Sequence, residues 1–105
     1  MKKLKNIFVS TTFAKDNSKI SEALLICKRA NISNIELGSN HVYENNVKKI
    51  IEQYNFRFIV HNYFPIPRKS FVINIASSNN HIRNLSLKHI KKAISFCKET
   101  NSKLY

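Results

Sequence analysis

The sequence predicts an α/β fold with parallel strands. Two observations carry that reading, and a third argues against a dinucleotide-binding doubly wound form of it. Short runs of β-branched and aromatic residues alternate with stretches whose apolar residues recur at three- and four-residue steps. The connections between them are short, which suits parallel strands joined by right-handed crossovers. No G-x-G-x-x-G or P-loop follows the first strand, and Ser10-Thr11-Thr12-Phe13 cannot allow the close phosphate approach that such glycines permit.

Taken in order, Ile7-Phe8-Val9-Ser10 reads as the first strand. Ile20, Ala23, Leu24, Cys27 and Ala30 form the apolar stripe of a helix, with Ser18 as its expected N-cap. Ile32 to Leu37 gives a second strand, closed by Gly38, the chain's one glycine. Val47, Ile50, Ile51 and Tyr54 fall at i, i+3, i+4 and i+7, the face of a second helix. Phe56 to Val60 is the third strand. An irregular stretch from Asn62 to about Asn80 follows, held extended by Pro65 and Pro67. Ile82, Ile90, Ala93, Ile94 and Cys97 mark a third helix of about five turns, and Ser102-Lys103-Leu104-Tyr105 reads as the start of a fourth strand. This order fits an open doubly wound sheet and a piece of a barrel alike.

At 105 residues the chain is one domain at most, 1–105, with one modest core. No apolar run approaches the ~20 residues that span a bilayer. The basic start Met1-Lys2-Lys3-Leu4-Lys5 is followed by Asn6 and Ser10-Thr11-Thr12 rather than by an apolar segment and a cleavage site, so the expected location is cytoplasmic. Cys27 and Cys97 stand too far apart for a paired-cysteine metal motif and read as buried, reduced thiols. The net charge of +12 is spread over the polar faces of the helices. It reads first as a solvated outer surface, with an anionic partner such as nucleic acid as the alternative.

The residues able to carry chemistry gather at strand ends, where parallel sheets bind ligands. His61 follows the third strand, and Asn62-Tyr63-Phe64-Pro65 follow it. Such a histidine either hydrogen-bonds a neighbouring loop or serves as a ligand or base. Glu36, in Asn34-Ile35-Glu36-Leu37-Gly38, is a carboxylate among apolar neighbours that needs a cation, a metal or a sugar hydroxyl. A salt bridge to Arg57 is its structural alternative. Parallel strands would bring Glu36 and His61 to one end, near the Thr11–Thr12 turn. His41 and Tyr43 line the same mouth or are solvated; His89 is expected to face solvent; Arg68 and Lys69 are candidates for a phosphate.

His61-Asn62-Tyr63-Phe64-Pro65, then Phe71 to Ser77, then a helix carrying Ser86 and Ile90, resembles the third βα unit of the xylose isomerase-like TIM barrels. That family includes sugar-phosphate isomerases and epimerases and the apurinic-site endonucleases related to endonuclease IV. Asn34 to Gly38 is similar to the end of strand two in the sugar-isomerase branch. The resemblance implies a partial (β/α)8 TIM barrel: about three βα units plus the start of a fourth strand. It implies Glu36 and His61 as catalytic residues, His61 as a metal ligand, and Asn62, Tyr63 and Asn74 as substrate contacts. The parent would use a divalent metal (Zn, Mn or Mg) on a sugar or sugar phosphate, or, in the alternative branch, on abasic DNA. A barrel takes roughly 200 residues or more, and a nascent strand leaves an unpaired sheet edge. The expectation is therefore a truncated chain, inactive alone and prone to self-association; a small basic nucleic-acid-binding module is the reading from a different class.

Overall fold

The structure is a computed structural model that describes residues 6–105. Three parallel strands, β1 (Val9–Ser10), β2 (Asn34–Leu37) and β3 (Arg57–Val60), lie side by side in sequence order. The register sets Ser10 beside Glu36, Glu36 beside Ile59, and Leu37 beside Val60. Helices α1 (Ile20–Arg29), α2 (Val47–Glu52) and α3 (Asn80–Glu99) supply the crossovers. A single 3-10 turn, Thr11–Phe13, follows β1. The alternation read from the sequence is thus present, with shorter strands. Ile7 stands outside β1 and is exposed.

All three helices pack on one face of the sheet. Strand side chains alternate between faces; Ile35, Leu37, Phe58 and Val60 point into a core shared with Ile20, Leu24 and Cys27 of α1, Ile51 of α2, and Phe96 and Cys97 of α3. Both cysteines are buried and free, and burial raises both thiol pKa values. The other face carries Glu36, Ile59, Arg57 and Phe8, and among the described residues no helix covers it. No helix among those residues is long and apolar enough to cross a membrane.

Helices α1 and α3 stop by the same device. Asn31 and Asn101 take left-handed backbones, at φ 57° and 56°, where asparagine is among the few non-glycine residues tolerated. The next amide reaches back to a cysteine carbonyl, Ile32 to Cys27 and Ser102 to Cys97. A Cys-Lys-x-x-Asn pattern at 27–31 and 97–101 underlies both. Ile32 therefore belongs to the stop of α1 rather than to β2. The second stop sends residues 102–105 alongside β3, where the Val60 amide donates to the Leu104 carbonyl at 3.0 Å. Tyr105 reaches Asn62 at the carboxyl end of β3, so this segment runs parallel to the sheet. It makes the contact expected of a fourth strand without the length of one.

Helix starts differ from expectation. Ser18 does not cap α1: the cap position is Lys19, with no side-chain bond, and the Ser18 hydroxyl turns to His41. The Glu44 carboxylate accepts the Ser21 amide of the first turn instead, at 3.2 Å, which places negative charge at the positive helix end. Helix α3 begins two residues before Ile82, capped by Asn79, whose side chain accepts the His81 and Ile82 amides.

Candidate functional site at the carboxyl end of the sheet

The β1–310 turn, the loop after β2 and the loop after β3 meet beyond the strand tips. Gly38 makes the approach of the first two loops feasible. Its amide donates to Thr11 Oγ1 at 2.7 Å, and a β-carbon there would lie 2.5 Å from Thr12 Cγ2. Thr11 Oγ1 in turn lies 2.8 Å from His41 Nε2, and His41 Nδ1 lies 3.2 Å from the Ser18 carbonyl. A carbonyl only accepts, so Nδ1 carries the proton and Nε2 receives the Thr11 hydroxyl. His41 is buried, and so neither solvated nor free for substrate. It locks β1, β2 and the start of α1 together.

His89 is buried too, against the expectation that it faces solvent. Its Nε2 donates to the Tyr63 carbonyl at 3.1 Å, and its ring lies against Tyr63 and Phe71. Helix periodicity puts residue 89 beside Ser86 and Ala93 on the inner stripe. Tyr63 holds a left-handed backbone, φ 83°, a costly conformation for a bulky residue. Three contacts fix it there: the His89 bond, the Phe71 amide donating to its hydroxyl at 2.9 Å, and ring packing on Phe71.

Burial holds both imidazoles below the ordinary value of 6.5. At His41 the Ser18 carbonyl and Glu44 oppose that desolvation; at His89 the Tyr63 carbonyl opposes it and Lys92 adds to it. As pH falls through 6.5 the unfolded chain takes up protons that folded His41 and His89 refuse. Stability is therefore full above that value and is lost below it, toward the lower folded values. Chemical denaturation at pH 7.5, 6.5 and 5.5 should show a falling midpoint. A His41→Gln, His89→Gln double variant should show a shallower fall; equal slopes for the two proteins would refute the assignment.

His61 sits one residue past β3, its amide donating to the Leu37 carbonyl at 3.0 Å. Its ring is exposed, with Nδ1 2.8 Å from the Asn62 carbonyl. That acceptor fixes the proton on Nδ1 and leaves the Nε2 lone pair outward, able to take a proton or bind a cation. His61, Asn62 and Tyr63 line an open depression of 730 Å³ with Asp16, Asn40 and His41. Asn40 donates through Nδ2 to the Thr12 and Ala14 carbonyls and to Asp16. Its Oδ1 is buried and has no hydrogen-bond partner among the described residues.

Two expected members stand elsewhere. Glu36 projects from the open sheet face and lines a separate depression of 870 Å³ with Phe8, Arg57, Ile59, Lys103 and Leu104. Asn74 does not line the His61 depression. Its amide donates to Ser86 Oγ at 2.8 Å, and its side chain accepts the Ala76 amide. Arg68 lies over the Tyr43 ring, 5.0 Å from its centre, and donates to the Tyr43 hydroxyl. Among the described residues no three His, Cys, Asp or Glu side chains converge to hold a metal ion. His61 Nε2 is one outward-facing donor.

Asp16, Asn40 and the lock at His41 escaped the sequence reading. The signal for them was the lone glycine, directly before Ser39-Asn40-His41. The chain matches no protein-family model, and neither the curated proteins nor the solved structures give a match.

Proposed function

We propose that this chain is the opening part of a (β/α)8 barrel of the xylose isomerase-like kind, whose carboxyl-end depression receives a sugar or sugar phosphate. The carrying observation is topological. Strands in order β1-β2-β3 with every helix on one face are singly wound. A doubly wound sheet reverses direction and covers both faces, whereas a barrel continues in one sense with its helices outside.

The chemistry of the depression suits a polyol. Hydroxyls both donate and accept, and the pocket offers the His61 Nε2 lone pair and the Asn62 side-chain amide. In a parent isomerase His61 Nε2 would accept a proton next to the sugar carbonyl, with Asn62 holding the tautomer. Glu36, on the inner wall of the barrel, would meet the substrate only from below. The basic residues favour the nucleic-acid alternative, since Lys88, Lys91, Lys92 and Lys98 are all exposed on α3, yet they belong to the helix layer and none of them lines the His61 depression.

Titration with ribose 5-phosphate, followed by amide chemical shifts, separates the two. Saturating shifts are expected at Ser39, Asn40, His61 and Asn62, and His61→Ala should weaken binding roughly tenfold, the worth of about one hydrogen bond. Shifts confined to the α3 lysines, produced by an abasic duplex and not by the sugar phosphate, would overturn the reading.

A further inference from the structure

We propose that the groove between α2 and α3 is a binding site for a small carboxylic acid with an apolar body. The groove belongs to the helix layer and stands apart from the His61 depression; Ile66 is the one residue that lines both. Helix α2 is short, and its Lys48 ammonium meets the Glu99 carboxylate in the last turn of α3 at 3.5 Å. Beyond that bridge the gap is walled by residues 42–44 and 64–66 and has a volume of 310 Å³. Small-molecule sites begin at about that size, and they are mostly apolar with a few polar groups that orient the ligand. Here Ile20, Val47, Phe64 and Phe96 supply the apolar wall.

The charges on the rim select the head group. Lys92, Ser95, Phe96 and Glu99 fall at i, i+3, i+4 and i+7, so they share one face of α3. Glu99 is engaged by Lys48, which also meets Glu52 at 3.7 Å. The Glu44 carboxylate accepts the Ser21 amide at 3.2 Å. Lys92 is exposed, and among the described residues no carboxylate lies within ion-pair distance of it. One unpaired cation beside an apolar wall matches one negative charge on an apolar body. A doubly charged phosphate is the poorer match, because Glu44 and Glu99 share the rim and would repel it. The Ser95 hydroxyl, one turn along the same rim, can donate to the carboxylate that Lys92 holds.

Octanoate is the probe, added to the 105-residue chain and followed by amide chemical shifts. Saturating shifts are expected at Val47, Ile66, Lys92 and Ser95, with Asn40 and Asn62 unmoved. Acetate lacks the apolar body and octanol lacks the charge; each should bind more weakly by roughly tenfold or more. Lys92→Gln should weaken octanoate binding roughly tenfold, the worth of one charge-assisted hydrogen bond. Lys91→Gln, at an exposed lysine outside the groove, should leave it unchanged. Both side chains are exposed, so neither change threatens the fold. Octanol binding as tightly as octanoate, equal losses in the two lysine variants, or no saturable shift at millimolar octanoate would each overturn the site. Ribose 5-phosphate binding at His61 is read on other residues, so either site can fail while the other stands.

Discussion

Phe64→Ala should cost about 3–5 kcal/mol, the range for truncating a buried aromatic, and lower the melting temperature by about 15–25 °C at this chain length. Total stability for a domain of this size is about 5–15 kcal/mol, so the variant stands near the edge of folding. The residue lies in a loop, yet only 1% of its surface is exposed. Its ring meets Phe96 edge to face, 5.6 Å between centres, inside the cluster that holds Ile20, Leu37 and Val60. No neighbouring side chain is free to fill the space it would leave, because the cluster draws on all three helices at once. Val72, in the same loop, is 83% exposed, and Val72→Ala should leave the melt unchanged. Thermal denaturation of the two variants side by side decides it; a shift under about 5 °C for Phe64→Ala would mean that the loop is not part of the core.

Gly38→Ala should be the second most damaging small change, by about 1–3 kcal/mol for forced overpacking. The new methyl would stand 2.5 Å from Thr12 Cγ2, 3.0 Å from Thr11 Oγ1 and 3.1 Å from the Thr12 amide nitrogen. The last is backbone, so the turn after β1 must move, and with it the Thr11 hydroxyl that links Gly38 to His41. Thr12→Ser removes the clashing methyl and keeps the hydroxyl that donates to Ser10. It should be nearly neutral alone and recover part of the loss in Gly38→Ala, with a coupling of about 1 kcal/mol. Additive effects in urea denaturation would show that the contact with Thr12 is not what makes glycine necessary.

The periodic parts of the fold were legible in the sequence because burial writes them directly. Ile20, Ala23, Leu24 and Cys27 are all buried, and Val47, Ile50 and Ile51 all face the core. Strand order and the single-sided helix layer follow from short connections. Histidine burial was not legible. His41 and His89 are inside because of hydrogen-bond partners 23 to 30 residues away, Ser18, Tyr63 and Thr11, and no local pattern encodes such partners. Ser18 illustrates the same competition: the hydroxyl that a helix start would use was taken by an imidazole. The separation of Glu36 from the His61 depression turns on strand alternation. A residue one place before the last of β2 faces the open side of the sheet, and only loop residues reach the depression beyond the strand tips.

The nineteen residues between β3 and α3 have no ladder of their own, yet they are not free to choose a shape. Tyr63 is tied to His89, and Asn74 to Ser86, two anchors three residues apart on one helix. The rotational phase of α3 is therefore written into the loop. Turning the helix by one residue, about 100°, would carry both anchors away from the loop together, and with them the hold on Tyr63, which lines the depression beside His61. The shape of the mouth is inherited from a helix on the far side of the sheet's tips, so the mouth and the outer layer can change only in step.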